Sequence, residues 1–355
     1  MSETLTWPAL LTRLLEREDL SIADASWAMR QVMSGQVTGA QLAGFLIALR
    51  SKGETVDEIV GFRDAALAHA REVSIPPMVL DIVGTGGDPY GAVVNVSSIA
   101  SIVAAATGVP VAKHGNKGAS SASGASDVLS VLGINLELDP EGVARVFDET
   151  GLTYLHAPTF HPGFRHAGPA RRELGVSTVF NILGPLCNPA RPEASAVGVA
   201  HLDRVPLMVG VFRTRGATAL LYRGDDGIDK LTTTGHSHVW EVSRGSVTEH
   251  DLDPSDLGIA TAQIEDLLGS TPEHNAGLAR AVLAGEPGPV RDIVLLNAAA
   301  GLVSFALAQD PDQVRRPLVE RLAEQLVVAA DSVDSGRAAA KLEAWAHATP
   351  SHRPG

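Results

Sequence analysis

Apolar positions recur every three or four residues over the first seventy of this chain. Leu10, Leu11, Leu14 and Leu15 follow Trp7-Pro8, and Leu42, Phe45, Leu46 and Leu49 make one stripe before Gly53. That is a helix's period, and start and stop residues frame each segment. Ser21 precedes a segment over 23–33 that Gly35 ends, and Thr38 opens the next. Thr55 stands three residues before Glu58, the signature of a reciprocal N-terminal cap, for a helix through His69. No strand pattern appears before Val79. From there apolar runs alternate with helical patterns. Residues 79–83 and 109–112 read as buried strands, each delivering a polar, glycine-rich loop that leads into a helix. Residues 134–138, 153–157 and 217–222 read as further strands, 205–212 as a helix opened by Pro206, and 239–248 as a hairpin turning at Arg244-Gly245. Residues 290–308 and 317–348 predict two long helices, while 161–190 break the alternation with prolines and helix-like pieces. The pattern predicts an α/β fold: a small all-helical N-terminal domain, then a large domain with a mainly parallel central sheet.

The two loops after the first strands have the chemistry of an anion cradle. Gly84-Thr85-Gly86-Gly87-Asp88 allows close backbone approach, and Ser97 and Ser98, after Asn95 and Val96, sit where a helix begins and its free N–H groups face a ligand. Lys113-His114-Gly115-Asn116 adds a point charge, and Ser120 and Ser121 add hydroxyls. In a parallel sheet such loops gather at the strands' C-terminal ends. The spacing is not that of a dinucleotide fingerprint, and no loop ends in Gly-Lys-Ser/Thr, so a phosphate-rich ligand is indicated but neither NAD nor a nucleoside triphosphate.

Composition narrows the picture. A chain of 355 residues predicts two domains, or one with an appendage. A formal net charge of −13 argues against coating nucleic acid or an anionic membrane, so any phosphate site must be a local pocket of positive potential. The single cysteine, Cys187, excludes an intrachain disulfide and suits a reducing compartment. The first residues lack a secretory pattern, and no run reads as the roughly twenty apolar residues of a membrane span, so a cytoplasmic location is expected.

Five motifs in order resemble the anthranilate phosphoribosyltransferase family: Gly84-Thr85-Gly86-Gly87-Asp88, Asn95-x-Ser97-Ser98, Lys113-His114-Gly115-Asn116 with Ser120-Ser121, Arg171-Arg172-Glu173-Leu174-Gly175, and Phe180-Asn181-Ile182-Leu183-Gly184-Pro185-Leu186-x-Asn188-Pro189. The resemblance runs from about Trp7 to about Ala348. It implies a helical domain over 1–75 joined by helices from about 161–190, an α/β domain over 76–160 and 191–355, a homodimer, and magnesium-dependent use of 5-phosphoribosyl 1-pyrophosphate. It further implies a donor site of Gly84, Gly87, Asp88, Asn95, Val96, Ser97, Ser98, Lys113, His114, Gly115, Asn116, Lys117, Gly118, Ala119, Ser120 and Ser121. Gly84, Asn116 and Arg171 correspond to anthranilate contacts, Lys113 and Arg171 to catalytic positions, and Ser97 and Asp229 to ligands of Mg2+. Of the adjacent Arg171 and Arg172, about 100° apart on a helix, one is expected to face the substrate and the other an ion pair or solvent.

Three positions depart from the family's pattern. Lys230 stands where the family has a metal-binding Glu, and a protonated lysine cannot ligate a cation. The loop 89–94 is longer by one residue, with Val93 in place of a Thr, and Lys117-Gly118 and Ala125-Ser126 replace Arg-Ala and Ser-Ala. These changes keep two alternatives in view: a related transfer (another aromatic acceptor, or nucleoside phosphorolysis), and a degenerate, non-catalytic binding protein. Three further features have plainer readings. His236-Ser237-His238 reads as a solvated strand end and not a metal site, Asp225-Asp226-Gly227 as a turn, and Cys187 as packing. His114 is expected inside the cradle, within reach of a general-base role.

Overall fold

The computed structural model describes residues 5–91, 93–116 and 124–349. Four helices come first: α1 (Trp7–Leu15), α2 (Ile22–Met33), α3 (Gly39–Lys52) and α4 (Val56–Ala68). The predicted caps hold. Thr55 Oγ1 accepts from Glu58 N at 3.3 Å while Glu58 Oε2 accepts from Thr55 N at 2.8 Å. Reciprocal caps also open α2, through Ser21 and Asp24, and α3, through Thr38 and Gln41. The stripes predicted from spacing meet in one core, where Trp7 packs edge-on to Phe45 and Phe45 to Phe62.

Seven strands follow: β1 (Leu80–Gly84), β2 (Val111–Gly115), β3 (Leu152–His156), β4 (Ala194–Gly198), β5 (Thr218–Gly224), β6 (Ser237–Ser243) and β7 (Ser246–Leu252). Their order is β3-β2-β1-β4-β5-β6-β7, with the first five parallel and the last two antiparallel. The chain builds outward from β1 to β3 on one side, then returns to place β4 against β1 on the other. The order therefore reverses between β1 and β4, and in such sheets the crevice at that switch point is where ligands bind. Side chains alternate between two cores. Leu80, Ile82, Val111 and Leu220 face α5 (Val96–Ala106) and the helix Pro289–Gln309, whereas Val83, Val197 and Leu221 face the N-terminal helices and the helix Val205–Arg215.

Several local expectations change. Residues 134–138 form no strand. Ile134 and Leu136 are buried by packing alone, and Asn135 N donates to Thr349 Oγ1. The segment expected as one helix over 317–348 is two, Leu318–Asp334 and Arg337–Ala348, divided at Gly336, whose φ of 79° is left-handed. Sequence pattern predicts no element at β4, whose residues are Ala194-Ser195-Ala196-Val197-Gly198 and all buried. The hairpin is as expected, with Arg244 and Gly245 at φ 49° and 76° in a two-residue turn. Pro289–Gln309 is, after all, long and apolar enough to span a bilayer, at 21 residues and mean hydropathy 1.6. It is instead a core helix, with 78% of that window buried, packed so closely on β1 that a Cβ on Gly301 would strike Ile82.

Candidate active site

At the switch point the backbone itself forms the floor. Thr85 N donates to Gly198 O at 3.0 Å, and Ala200 N donates to Thr85 Oγ1 at 3.2 Å, so the loops after β1 and β4 are laced together. Asp229, 6% exposed, lies over this junction, its Oδ2 accepting from Gly86 N at 2.7 Å and its Oδ1 from Lys230 Nζ at 2.5 Å. That closeness dictates two glycines. A Cβ at Gly84 would press into the Asp229 carboxylate, and one at Gly198 into the Asp229 backbone carbonyl. Asp88 organises the next turn by accepting from Tyr90 N and Gly91 N at 3.1 and 2.8 Å.

Beside this floor α5 presents its N-terminus. Asn95 Oδ1 accepts from Asn275 Nδ2 at 2.9 Å, and Ser98 Oγ is buried with no hydrogen-bond partner among the described residues. Below Ser97 lies Lys113, 1% exposed, whose Nζ donates to Ile82 O at 2.6 Å and Ser97 Oγ at 3.3 Å. Burial pushes this ammonium down to about 8, against the pull of Asp81 and Asp229. Asp81 is pushed up to about 6 by the same desolvation, opposed by Lys113 and by Asn188 Nδ2 at 2.9 Å.

Across the cleft stands the segment 161–190. The helix Gly168–Leu174 and the turn after it complete a cavity of about 660 Å³ with Thr85, Gly86, Gly87 and His201. Arg171 lies with its guanidinium 5.2 Å from the Phe180 ring centroid, so its fork is held in a set direction. Burial holds its pKa below the usual guanidinium value. A glycine-floored pocket, a helix N-terminus with hydroxyls, and a cation on the opposite wall suit a ligand with phosphate at one end and carboxylate at the other.

Comparison with known proteins decides the matter. The helical bundle domain of a glycosyl transferase family matches residues 8–70 and its a/b domain residues 76–339. The anthranilate phosphoribosyltransferase of Clavibacter michiganensis is 70% identical over 98% of this chain and 99% of its own, and that of Leifsonia xyli 68% identical over 98% and 100%. Among solved structures, the Thermus thermophilus enzyme superposes with a TM-score of 0.86 at 39% identity over 96% of this chain and 99% of its own. The Saccharomyces cerevisiae enzyme in complex with phosphoribosyl pyrophosphate and Mg gives 0.86 at 28% identity over 97% of each chain. The chain belongs to the anthranilate phosphoribosyltransferase family.

Some positions that the family pattern singles out sit differently from expectation. The His114 side chain lies on the face away from Ser97. Successive strand residues point to opposite faces, so where Lys113 turns toward α5, His114 turns away, its Nδ1 against Gly184 O at 3.0 Å and its ring against His161. Burial, chiefly, and the neighbouring His161 push it down to about 3, which keeps the imidazole neutral. Val96 buries its side chain and donates its N–H to Val94 O at 2.7 Å. Arg172, expected in an ion pair or solvent, lines the cavity with Arg171 and makes no ion pair among the described residues. Gly115 must lack a Cβ because Tyr154 crosses it. Lys117, Gly118, Ala119, Ser120 and Ser121 lie outside the described residues. Among the described residues no metal-binding group of His, Cys, Asp and Glu forms around His236 and His238, which pair instead with Asp251 and Asp225. His201, whose Nε2 lies 3.3 Å from where a Gly87 Cβ would be, escaped sequence reasoning because β4 did. The one signal was the apolar run of small residues 194–200 ending in a histidine.

Proposed function

We propose that the chain transfers the phosphoribosyl group of 5-phosphoribosyl 1-pyrophosphate to the amino nitrogen of anthranilate, giving N-(5-phosphoribosyl)anthranilate and diphosphate, a step of tryptophan biosynthesis. The observation that carries this reading is one cavity lined by Thr85, Gly86 and Gly87, with Asp229 bonded to Gly86 N behind them, and by Arg171 over the Phe180 ring. The donor's phosphates would lie on the backbone of Gly86 and Gly87 and at the α5 N-terminus, where Ser98 Oγ is a donor with no acceptor among the described residues. Lys113 acts from beneath, as a positioning charge on Ser97 rather than as a direct contact. Arg171 orients the anthranilate carboxylate through two parallel N–H bonds. Its neighbour Arg172 adds positive potential at the rim.

Asp229 and Ser97 offer hard oxygen donors, and magnesium accepts such a set when substrate phosphates and water complete its shell. These residues would hold Mg2+, which when bound offsets charge on the departing diphosphate. Lys230 Nζ, seated on Asp229 Oδ1, places a fixed positive charge where the family pattern has a second acidic ligand. An arylamine is neutral at pH 7, so the transfer needs no strong base, and positioning and electrostatics supply the acceleration. The exposed apolar Leu15, Ile22 and Ile47 of the N-terminal helices support pairing of two copies through that bundle. The division into a domain over 1–75 with 161–190 and a domain of the remainder belongs to the same proposal.

Anthranilate fluorescence tests the reading. It should fall on mixing enzyme, donor and magnesium, and not when donor is left out. Turnover of nucleosides with phosphate, in place of anthranilate, would replace it with the phosphorylase alternative, and no turnover of either with the non-catalytic one.

A further inference from the structure

At the opposite end of the sheet from the cleft, ahead of the first residues of β4 and β5, three arginines converge. Arg63 comes from α4, Arg191 from the turn before β4 and Arg215 from the end of the helix before β5. With Asp64, Leu67 and Ala68 they line a cavity of about 290 Å³. Among these lining residues one carboxylate, Asp64, answers the three guanidiniums. Asp64 Oδ1 accepts from Arg63 Nε at 2.9 Å and from Nη2 at 2.5 Å. Arg63 is nonetheless 8% exposed, and its Nη1 is buried without a partner among the described residues. Arg215 Nη2 donates to Pro192 O at 2.8 Å, and burial, then the charge of Arg63, pushes its guanidinium down to about 10. Arg191 makes no side-chain hydrogen bond or ion pair among the described residues, and its φ of 50° is a conformation that costs a non-glycine residue energy. A strained, unpaired arginine beside a buried, unsatisfied one marks a site arranged for something it lacks.

We propose that this cavity binds a small phosphate-bearing molecule, its oxygens accepting from Arg63, Arg191 and Arg215 and its body resting on Leu67 and Ala68. Three positive groups against one negative leave an excess that a dianion matches, and guanidinium forks bind phosphate through paired N–H bonds. The length of β4, about 13 Å, separates the cavity from the cleft, so the two sites are distinct. Arg63 rides on the N-terminal bundle and the other two arginines on the base of the sheet. An occupant would tie these parts together and stabilise the folded chain by linkage.

Thermal unfolding of the full chain with inorganic phosphate or glycerol 3-phosphate, against sodium chloride at equal ionic strength, tests this. Arg191→Asn is the main variant, because asparagine tolerates the left-handed backbone, the side chain is exposed and the cleft is untouched. Wild type should gain roughly 2 °C at ligand tenfold above Kd, and Arg191→Asn and Arg63→Gln should lose at least half of that gain. A larger gain with glycerol 3-phosphate identifies a phosphate monoester as the occupant, and an equal gain identifies phosphate itself. No gain in wild type, or the same gain in wild type and Arg191→Asn, overturns the proposal. If Arg63→Gln fails to fold, the Arg191→Asn comparison alone decides.

Discussion

Gly84→Ala is the sharpest test of the crevice geometry. Gly84 is not in a left-handed conformation, so the requirement for glycine there is steric. An added Cβ would lie 2.8 Å from Asp229 Cγ, with Oδ2 nearer still. Ordinary carbon contacts begin near 3.5 Å, so the carboxylate must retreat by at least about 0.7 Å. Retreat gives up the bond from Gly86 N to Oδ2, now 2.7 Å. A hydrogen bond to a charged group contributes about 1.5–3 kcal/mol, and overpacking costs about 1–3 kcal/mol. The expected loss is about 3 kcal/mol in stability, and about 100-fold in kcat/KM for the phosphoribosyl donor because the misplaced group is one that aligns it. Calorimetry and steady-state kinetics measure the two. Repeating the substitution in an Asp229→Ala background isolates the cause. Alanine at 229 removes the atoms struck from position 84, so the stability cost of Gly84→Ala should shrink to below about 1 kcal/mol. Gly198→Ala should not be rescued, since its clash is with the backbone of Asp229. A Gly84→Ala enzyme with wild-type melting and kinetics, or one whose cost is the same in both backgrounds, would refute the reasoning.

Four further outcomes are expected. Arg171→Lys keeps the charge but loses the fork and the Phe180 stacking, so KM for anthranilate should rise about tenfold with the donor KM unchanged; equal rises in both would remove Arg171 from the carboxylate. Arg321→Met removes both guanidinium bonds to Glu241, at 2.6 and 2.9 Å, leaves that fully buried side chain with His250 Nε2 at 2.9 Å, and should cost about 3 kcal/mol in urea unfolding with kcat retained at low temperature. His114 is neutral when folded down to about pH 3, whereas an unfolded histidine takes up a proton near 6.5; stability from this group is full above 6.5 and falls by about 1.4 kcal/mol per pH unit below it, and His114→Gln should flatten the slope of melting temperature over that range. Lys230→Glu exchanges a fixed cation for a possible ligand, so magnesium titration of activity should shift its midpoint; an unchanged curve would show that this position has no part in the site.

Much of the architecture is legible in the chain. The caps at Ser21, Thr38 and Thr55 and the stripes of α1 to α4 follow from spacing alone, because helix formation is local. The strand-loop-helix pattern after Val79 likewise exposes both glycine-rich loops. β4 escaped because alanine, serine and glycine carry little strand preference, and they are used there because a helix on one side and Asp229 at the end leave no room for larger side chains. The break at Gly336 and the missing strand at 134–138 show the same limit, since a short apolar run is strand or loop according to whether a neighbour pairs with it.

The chain's own pattern, then, settled most of the helices and strands and where most of them begin and end, and it marked two glycine-rich loops with the residue types of an anion cradle. These depend on contacts within a few residues. Only the packing of the whole chain decided that the loop after β1 meets the loop after β4, that Asp229 closes over both, that Lys113 turns toward α5 while His114 turns away, and that Arg63, Arg191 and Arg215 share a cavity. Those juxtapositions join residues remote along the chain. They are set by which strands pair to bury both faces of the sheet, and no local pattern encodes that choice.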